Sequence, residues 1–165
     1  MEKIGFIGLG NMGKGMSINL AKENHKIIGY DINHSTYDYF KDQDVLIAEN
    51  LNSLMSESEI IITMLPDGSA VEKVWSEIIN YSKPNQYLID CSTIDVKTSI
   101  EMQMQAKKKG LFTLDAPVSG GVIGADKGTL TFMVGGNSDV YNDIKVLFEI
   151  MGKNSILCGE EGSGQ

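Results

Sequence analysis

A short apolar run, Lys3-Ile4-Gly5-Phe6-Ile7, passes directly into Gly8-Leu9-Gly10-Asn11-Met12-Gly13, and a helical pattern follows. A G-x-G-x-x-G string between a strand and a helix leaves few folds open, because each glycine answers a separate demand. Gly8 permits the tight turn. Gly10 removes a Cβ where a pyrophosphate approaches the backbone, and Gly13 lets the helix pack close to the strand. The free N–H groups and the positive end of the helix then hold phosphates without any Arg or Lys. Alone the string is a weak signal, and Asp31 strengthens it. This residue ends a second apolar run, 18 residues after Gly13, where a carboxylate accepts hydrogen bonds from an adenosine ribose. An acid there also opposes the 2′-phosphate of NADP. Like charges about 4 Å apart repel by roughly 4 kcal/mol at an effective dielectric near 20. NAD is the expected cofactor and NADP the disfavoured one.

A rival reading falls on one residue. Gly8 to Lys14 also spells G-x-x-x-x-G-K, the start of a P-loop, but the next position must be Ser or Thr to reach Mg²⁺ and here it is Gly15.

The rest of the chain continues the alternation that the first unit begins. Strands are predicted over Lys3–Gly8, Lys26–Asp31, Asp44–Ala48, Glu59–Leu65, Gln86–Cys91, Leu111–Ala116, Leu130–Val134 and Ser155–Cys158. Several are continuous apolar runs, such as Ile60-Ile61-Ile62, which suits strands covered on both faces of a parallel sheet. Between them, Val71, Val74, Trp75, Ile78 and Ile79 fall at helical spacing, with Ser69 and Glu72 as a capping box. Val140, Ile144, Leu147, Phe148 and Met151 make a second stripe, opened by Asn137 or Ser138 and closed by Gly152. A third helix starts near Thr93 or Asp95, where Thr93 is an alternative N-cap. The expected fold is an α/β, Rossmann-type, doubly wound domain with a mainly parallel sheet, spanning residues 1–165 as one unit.

Composition excludes several functions. The 14 basic residues are all Lys, and with 22 acidic residues the formal net charge is −8. An acidic chain without Arg is a poor partner for the phosphate backbone of nucleic acid. Cys91 and Cys158 show no metal-ligand spacing, so no metal site is expected, and Cys91 reads as a small buried apolar residue. No apolar run approaches the roughly 20 residues of a membrane span. No targeting segment is visible, so the cytoplasm is the expected compartment, or the mitochondrial matrix if a transit peptide has been removed.

Phe6 through Gly13, followed by Met16-Ser17, resembles the amino-terminal signature of the β-hydroxyacid dehydrogenases. Three more segments are similar, in order: Ile62-Thr63-Met64-Leu65-Pro66, Asp90-Cys91-Ser92-Thr93-Ile94-Asp95, and Asp115-Ala116-Pro117-Val118-Ser119-Gly120-Gly121. The resemblance covers the whole chain and implies roles. Gly8, Leu9, Gly10, Asn11, Met12 and Gly13 would contact the pyrophosphate and Asp31 the ribose. Leu65 and Pro66 would line the cofactor cleft, and Thr93 would lie near the nicotinamide. Ser119, Gly120 and Gly121 would grip the carboxylate and hydroxyl of a small hydroxy acid substrate. A hydroxyl beside unshielded backbone N–H groups suits an oxyanion in a chain with no Arg to clamp it.

The implied reaction is reversible NAD-dependent oxidation of a β-hydroxy acid to its semialdehyde, with 3-hydroxyisobutyrate and methylmalonate semialdehyde as the leading pair. Tartronate or succinic semialdehyde reduction, or a non-catalytic dinucleotide-binding module, are the alternatives. In the family a lysine within G-x-G-Q-x-x-K-x-x-N-N does the proton work. Gly162-Ser163-Gly164-Gln165 is similar to the opening of that segment, and the lysine would be the third residue past Gln165. No catalytic residue is therefore expected within these residues, and this chain alone is expected to bind NADH with negligible turnover. The family's all-helical carboxyl-terminal domain closes the active site and mediates dimerisation, so a full-length homo-oligomer is implied.

Overall fold

The computed structural model describes residues 2–165. Its strands are β1 (Lys3–Ile7), β2 (Lys26–Tyr30), β3 (Val45–Ile47), β4 (Ile60–Thr63), β5 (Tyr87–Asp90), β6 (Phe112–Asp115), β7 (Val118–Ser119), β8 (Leu130–Gly136) and β9 (Gly152–Gly159). Its α-helices are α1 (Asn11–Lys22), α2 (Leu51–Glu57), α3 (Gly68–Tyr81), α4 (Val96–Lys108), α5 (Gly121–Lys127) and α6 (Ser138–Met151), and a 3-10 segment covers His34–Phe40.

The strands form one sheet in the order β3-β2-β1-β4-β5-β6-β8-β7, with β9 on the outer side of β8. From β3 through β6 all pairings are parallel. The chain builds outward from β1 in one direction and then from β4 in the other, so the order reverses between these two central strands. In open α/β sheets the ligand crevice lies at that reversal, beyond the carboxyl ends of the strands.

Helices cover both faces. On one, α1, α5 and α6 bring Met16, Leu20, Ala125, Ile144, Leu147 and Phe148 onto Ile4, Phe6, Ile60, Ile62 and Leu114. On the other, α2, α3 and α4 bring Leu54, Val71, Trp75, Ile78 and Met102 onto Ile7, Ile28, Ile61 and Leu88. Every residue of β4 is buried because alternate side chains enter opposite layers, which is why the run is apolar without a break.

All eight predicted strands are present. β7 is the addition: β6 and β7 pair with β8 in one continuous antiparallel register interrupted at Ala116-Pro117, where the Pro117 carbonyl still accepts the Met133 N–H at 3.1 Å. The sheet is thus mainly parallel with an antiparallel turn at this edge. One predicted cap moves. Asp67, not Ser69, caps α3 by accepting the Ala70 N–H at 2.9 Å. Of the two starts expected for α4, Asp95 is the cap, through the Thr98 N–H.

Candidate functional site

Six α-helices begin in two ways. α2, α3, α4 and α6 are capped by Asn50, Asp67, Asp95 and Asn137, whose side chains accept first-turn N–H groups. α1 and α5 begin on Gly10 and Gly120 and have no side-chain cap. The first N–H groups of an α-helix have no partner within it. The two uncapped starts are therefore the two glycine turns singled out above.

At the first turn, the three glycines separate by what surrounds them. Gly8 has φ +96°, donates to the Tyr30 carbonyl at 2.9 Å, and is pressed against the Met64 carbonyl. Gly13 packs on the Gly8 carbonyl so closely that a Cβ would fall well inside contact distance. Gly10 has extended backbone that any residue adopts, and a Cβ built there meets nothing within 4 Å. The protein's own packing demands Gly8 and Gly13. It does not demand Gly10.

Gly10 opens onto a cleft of about 670 Å³ at the carboxyl ends of β1, β2 and β4. Its walls are the glycine turn with Asn11 and Met12, then Tyr30, Asp31 and Ile32 after β2, Met64-Leu65-Pro66 after β4, and one side of α3. Leu9 is the exception in its motif: its side chain is 1% exposed in the core. Its N–H instead donates to Asp31 Oδ2 at 2.7 Å, while Asp31 Oδ1 accepts the Asn33 N–H at 2.7 Å. Asp31 thus has a second task beyond any ribose, holding the glycine turn to the end of β2. Tyr37, from the 3-10 segment, secures that strand end by donating its hydroxyl to the Asp31 carbonyl at 2.6 Å and accepting the Asp31 N–H at 3.1 Å.

Neither Tyr37 nor the α3 wall was anticipated. Ala70, Lys73, Val74 and Glu77 line the cleft, and Lys73 is its sole cation among the lining residues. The signal was present, since these positions recur at helical spacing beside the buried Val71, Trp75 and Ile78 stripe.

Thr93, Ser119, Gly120 and Gly121 lie outside this cleft. Thr93 is exposed, in a loop tied at Ser92 and Ile94. Ser119 and both glycines are exposed, and Gly120 (φ +133°) and Gly121 (φ +61°) hold backbone conformations that favour glycine. The α5 helix that follows lies against α1, where a Cβ on Gly15 would meet Asp126 Oδ1 at 2.6 Å and the Ala125 backbone at 2.7 Å. The position that breaks the P-loop pattern is thus glycine for a packing reason. Cys91 is wholly buried, and burial pushes its thiol pKa well up, as suits an inert core residue.

A second hollow, about 640 Å³, lies at the opposite end of the central strands beside Glu2, Glu57, Glu59 and Lys83. It faces the amino ends of the strands, away from the glycine turn. Among the described residues no group of His, Cys, Asp and Glu is arranged to hold a metal ion, and no helix is long and apolar enough to cross a membrane.

Comparison with known proteins agrees with this geometry. Residues 3–159 match the family model described as the NAD binding domain of 6-phosphogluconate dehydrogenase. The mouse mitochondrial 3-hydroxyisobutyrate dehydrogenase is 41% identical over 98% of this chain and 49% of its own length. A Pseudomonas aeruginosa NAD-dependent L-serine dehydrogenase is 36% identical over 100% of this chain and 56% of its own. A Mycobacterium tuberculosis 3-hydroxyisobutyrate dehydrogenase solved with L-serine superimposes with a TM-score of 0.97 at 36% identity, covering 99% of this chain and 56% of that one. The chain spans about half the length of the curated relatives it matches. It belongs to the family of the NAD-binding domain of 6-phosphogluconate dehydrogenase, with relatives named 3-hydroxyisobutyrate dehydrogenase along nearly its whole length.

Proposed function

We propose that this chain is the NAD-binding part of an oxidoreductase that interconverts a β-hydroxy acid and its semialdehyde, with 3-hydroxyisobutyrate as the leading substrate. The observation that carries the cofactor reading is Gly10. It is the one glycine of the turn that the fold does not require, and the space its Cβ would take opens into the cleft. That is the mark of a position kept bare for a ligand that approaches the backbone.

NAD in this cleft would supply the hydride acceptor. The chain's own residues bind and orient. The uncapped N–H groups of Asn11, Met12 and Gly13 face the pyrophosphate, and Asp31 keeps acceptor capacity for the adenosine ribose while it holds Leu9. Leu65 and Pro66 line the β4 side. Asp31 and the lack of any Arg favour NAD over NADP. Ser119, Gly120 and Gly121 are assigned to the substrate carboxylate and Thr93 to the neighbourhood of the nicotinamide, both on the family resemblance. The proton acceptor for the substrate hydroxyl is assigned, on the family resemblance, to the lysine of the segment whose opening Gly162-Ser163-Gly164-Gln165 resembles.

L-serine is the second substrate to test. It shares the 3-hydroxypropanoate skeleton of 3-hydroxyisobutyrate, with an amino group in place of the methyl, and it is named for two relatives. Titration of this chain with NADH, followed by nicotinamide fluorescence, tests the cofactor reading. Saturable binding is expected, and its absence in folded protein would overturn the assignment. A panel of 3-hydroxyisobutyrate, L-serine and tartronate semialdehyde, assayed with the full-length protein, tests the substrate. The largest kcat/KM is expected for 3-hydroxyisobutyrate.

A further inference from the structure

Asp90 ends β5 beside the last residue of β4, and it is 3% exposed. Its Oδ1 gathers three donors: the Thr63 hydroxyl at 2.8 Å, the Ser92 hydroxyl at 2.6 Å and the Ser92 N–H at 3.1 Å. Each hydroxyl has one proton and directs it at the carboxylate, Thr63 with the Ile89 carbonyl as a longer second acceptor at 3.4 Å, so each oxygen is left to accept. The Thr63 oxygen accepts the Trp75 indole N–H at 3.1 Å, and the Ser92 oxygen accepts the Leu65 N–H at 2.9 Å. The directions are fixed from both ends: Trp75 to Thr63 to Asp90, and Leu65 to Ser92 to Asp90. Asp90 Oδ2 has no partner among the described residues. A buried carboxylate ordinarily has both oxygens hydrogen-bonded. This one concentrates its bonding on the oxygen that joins two loops.

Those loops matter because of where they stand. Across the cleft, Asp31 follows β2, the glycine turn follows β1 and the Leu65-Pro66 lip follows β4. A dinucleotide with its adenosine at Asp31 and its pyrophosphate at Gly10 extends its other half toward β4 and β5. Ser92 fixes the Leu65 N–H at the base of the lip. On the other side of Thr93, Gln165 accepts the Ile94 N–H at 3.0 Å and donates to the Ser92 carbonyl at 3.1 Å. Thr93 is therefore presented from a turn whose neighbours are both anchored.

We infer that Asp90 is a positioning residue for the nicotinamide half of the cleft: through Ser92 it sets the Leu65-Pro66 lip and the Thr93 turn in one fixed relation. The inference rests on the NAD-binding reading above and adds a residue that does not itself line the cleft.

The test separates the halves of the ligand. ADP occupies only the adenosine and pyrophosphate positions; NADH occupies both halves. Ser92→Ala removes the acceptor of the Leu65 N–H without adding bulk. In this variant the Kd for NADH is expected to rise about tenfold, the scale of one lost hydrogen bond to a buried amide. The Kd for ADP should stay within about twofold, and the fluorescence of bound NADH should fall. Asp90→Ala should repeat this pattern. Asp90→Asn, which keeps an acceptor at Oδ1, should restore NADH binding to near the original value. If Asp90→Ala fails to fold, Ser92→Ala and Asp90→Asn carry the comparison, since both act on the Asp90–Ser92 link itself. Equal loss of NADH and ADP affinity in folded Ser92→Ala, or unchanged NADH affinity, overturns the inference. Failure of the unaltered chain to bind NADH overturns instead the cofactor reading beneath it.

Discussion

Replacing Gly10 with Asp should strengthen the fold and destroy the site, and the two effects can be read separately. Gly10 is the N-cap of α1, it has extended backbone, and nothing lies within 4 Å of its missing Cβ. Asp is a better N-cap than Gly and adds a negative charge at the positive end of the helix. Together these contribute on the order of 0.5–1 kcal/mol. In a domain of this size that raises Tm by about 2 °C. The same carboxylate would stand where the pyrophosphate must come. Two like charges about 4 Å apart at an effective dielectric near 20 repel by roughly 4 kcal/mol. That is close to a thousandfold in Kd, and at least about a hundredfold after screening by salt. Thermal denaturation of the free protein and fluorescence titration with NADH supply the two readings. Gly13→Ala is the control of opposite sign. Its Cβ would intrude on the Gly8 carbonyl, an overpacking that costs about 1–3 kcal/mol and lowers Tm by on the order of 5 °C. If Gly10→Asp melted several degrees below the parent, or bound NADH within tenfold of it, the claim that Gly10 serves the ligand rather than the fold would be wrong.

Two further outcomes follow from the carboxylates. Asp31→Asn keeps an oxygen for the Leu9 N–H but removes the charge opposing a 2′-phosphate, so the ratio of NADPH to NADH dissociation constants should fall at least about tenfold. Titration of both proteins with both cofactors checks it, and an unchanged ratio would place the discrimination elsewhere. Burial, opposed by its hydrogen bonds to Ser92 and Thr63, pushes the Asp90 pKa up to about 6 from an ordinary 3.8. The folded state therefore binds this proton more tightly than the unfolded chain. The resulting stability, on the order of 3 kcal/mol, is complete below about pH 4 and is lost as pH rises through about 6. Urea unfolding across this window should show the parent gaining stability relative to Asp90→Asn as pH falls from 7 to 4. A constant difference between them would mean that Asp90 does not titrate there.

The fold was legible because its strands are buried on both faces. Apolar runs such as Ile60-Ile61-Ile62 need no partner information to be recognised, and the glycine turn marked which strand came first. The site was legible only where a motif is local. Gly8, Gly10 and Gly13 fall within six residues, and Asp31 stands at a spacing that a strand and a helix dictate. The Asp90 network joins positions 27 residues apart, and its Gln165 anchor lies 73 residues from Ser92. No periodicity announces such a network, because its members meet only when neighbouring strands align. The glycines make the distinction most sharply. In the sequence, Gly10 and Gly15 are two small residues near the start of one helix. In the structure, Gly15 is filled by α5 and Gly10 is filled by nothing. A missing side chain indicates function only after the protein's own need for the space has been subtracted. Of the residues in this turn, Gly10 alone leaves a remainder.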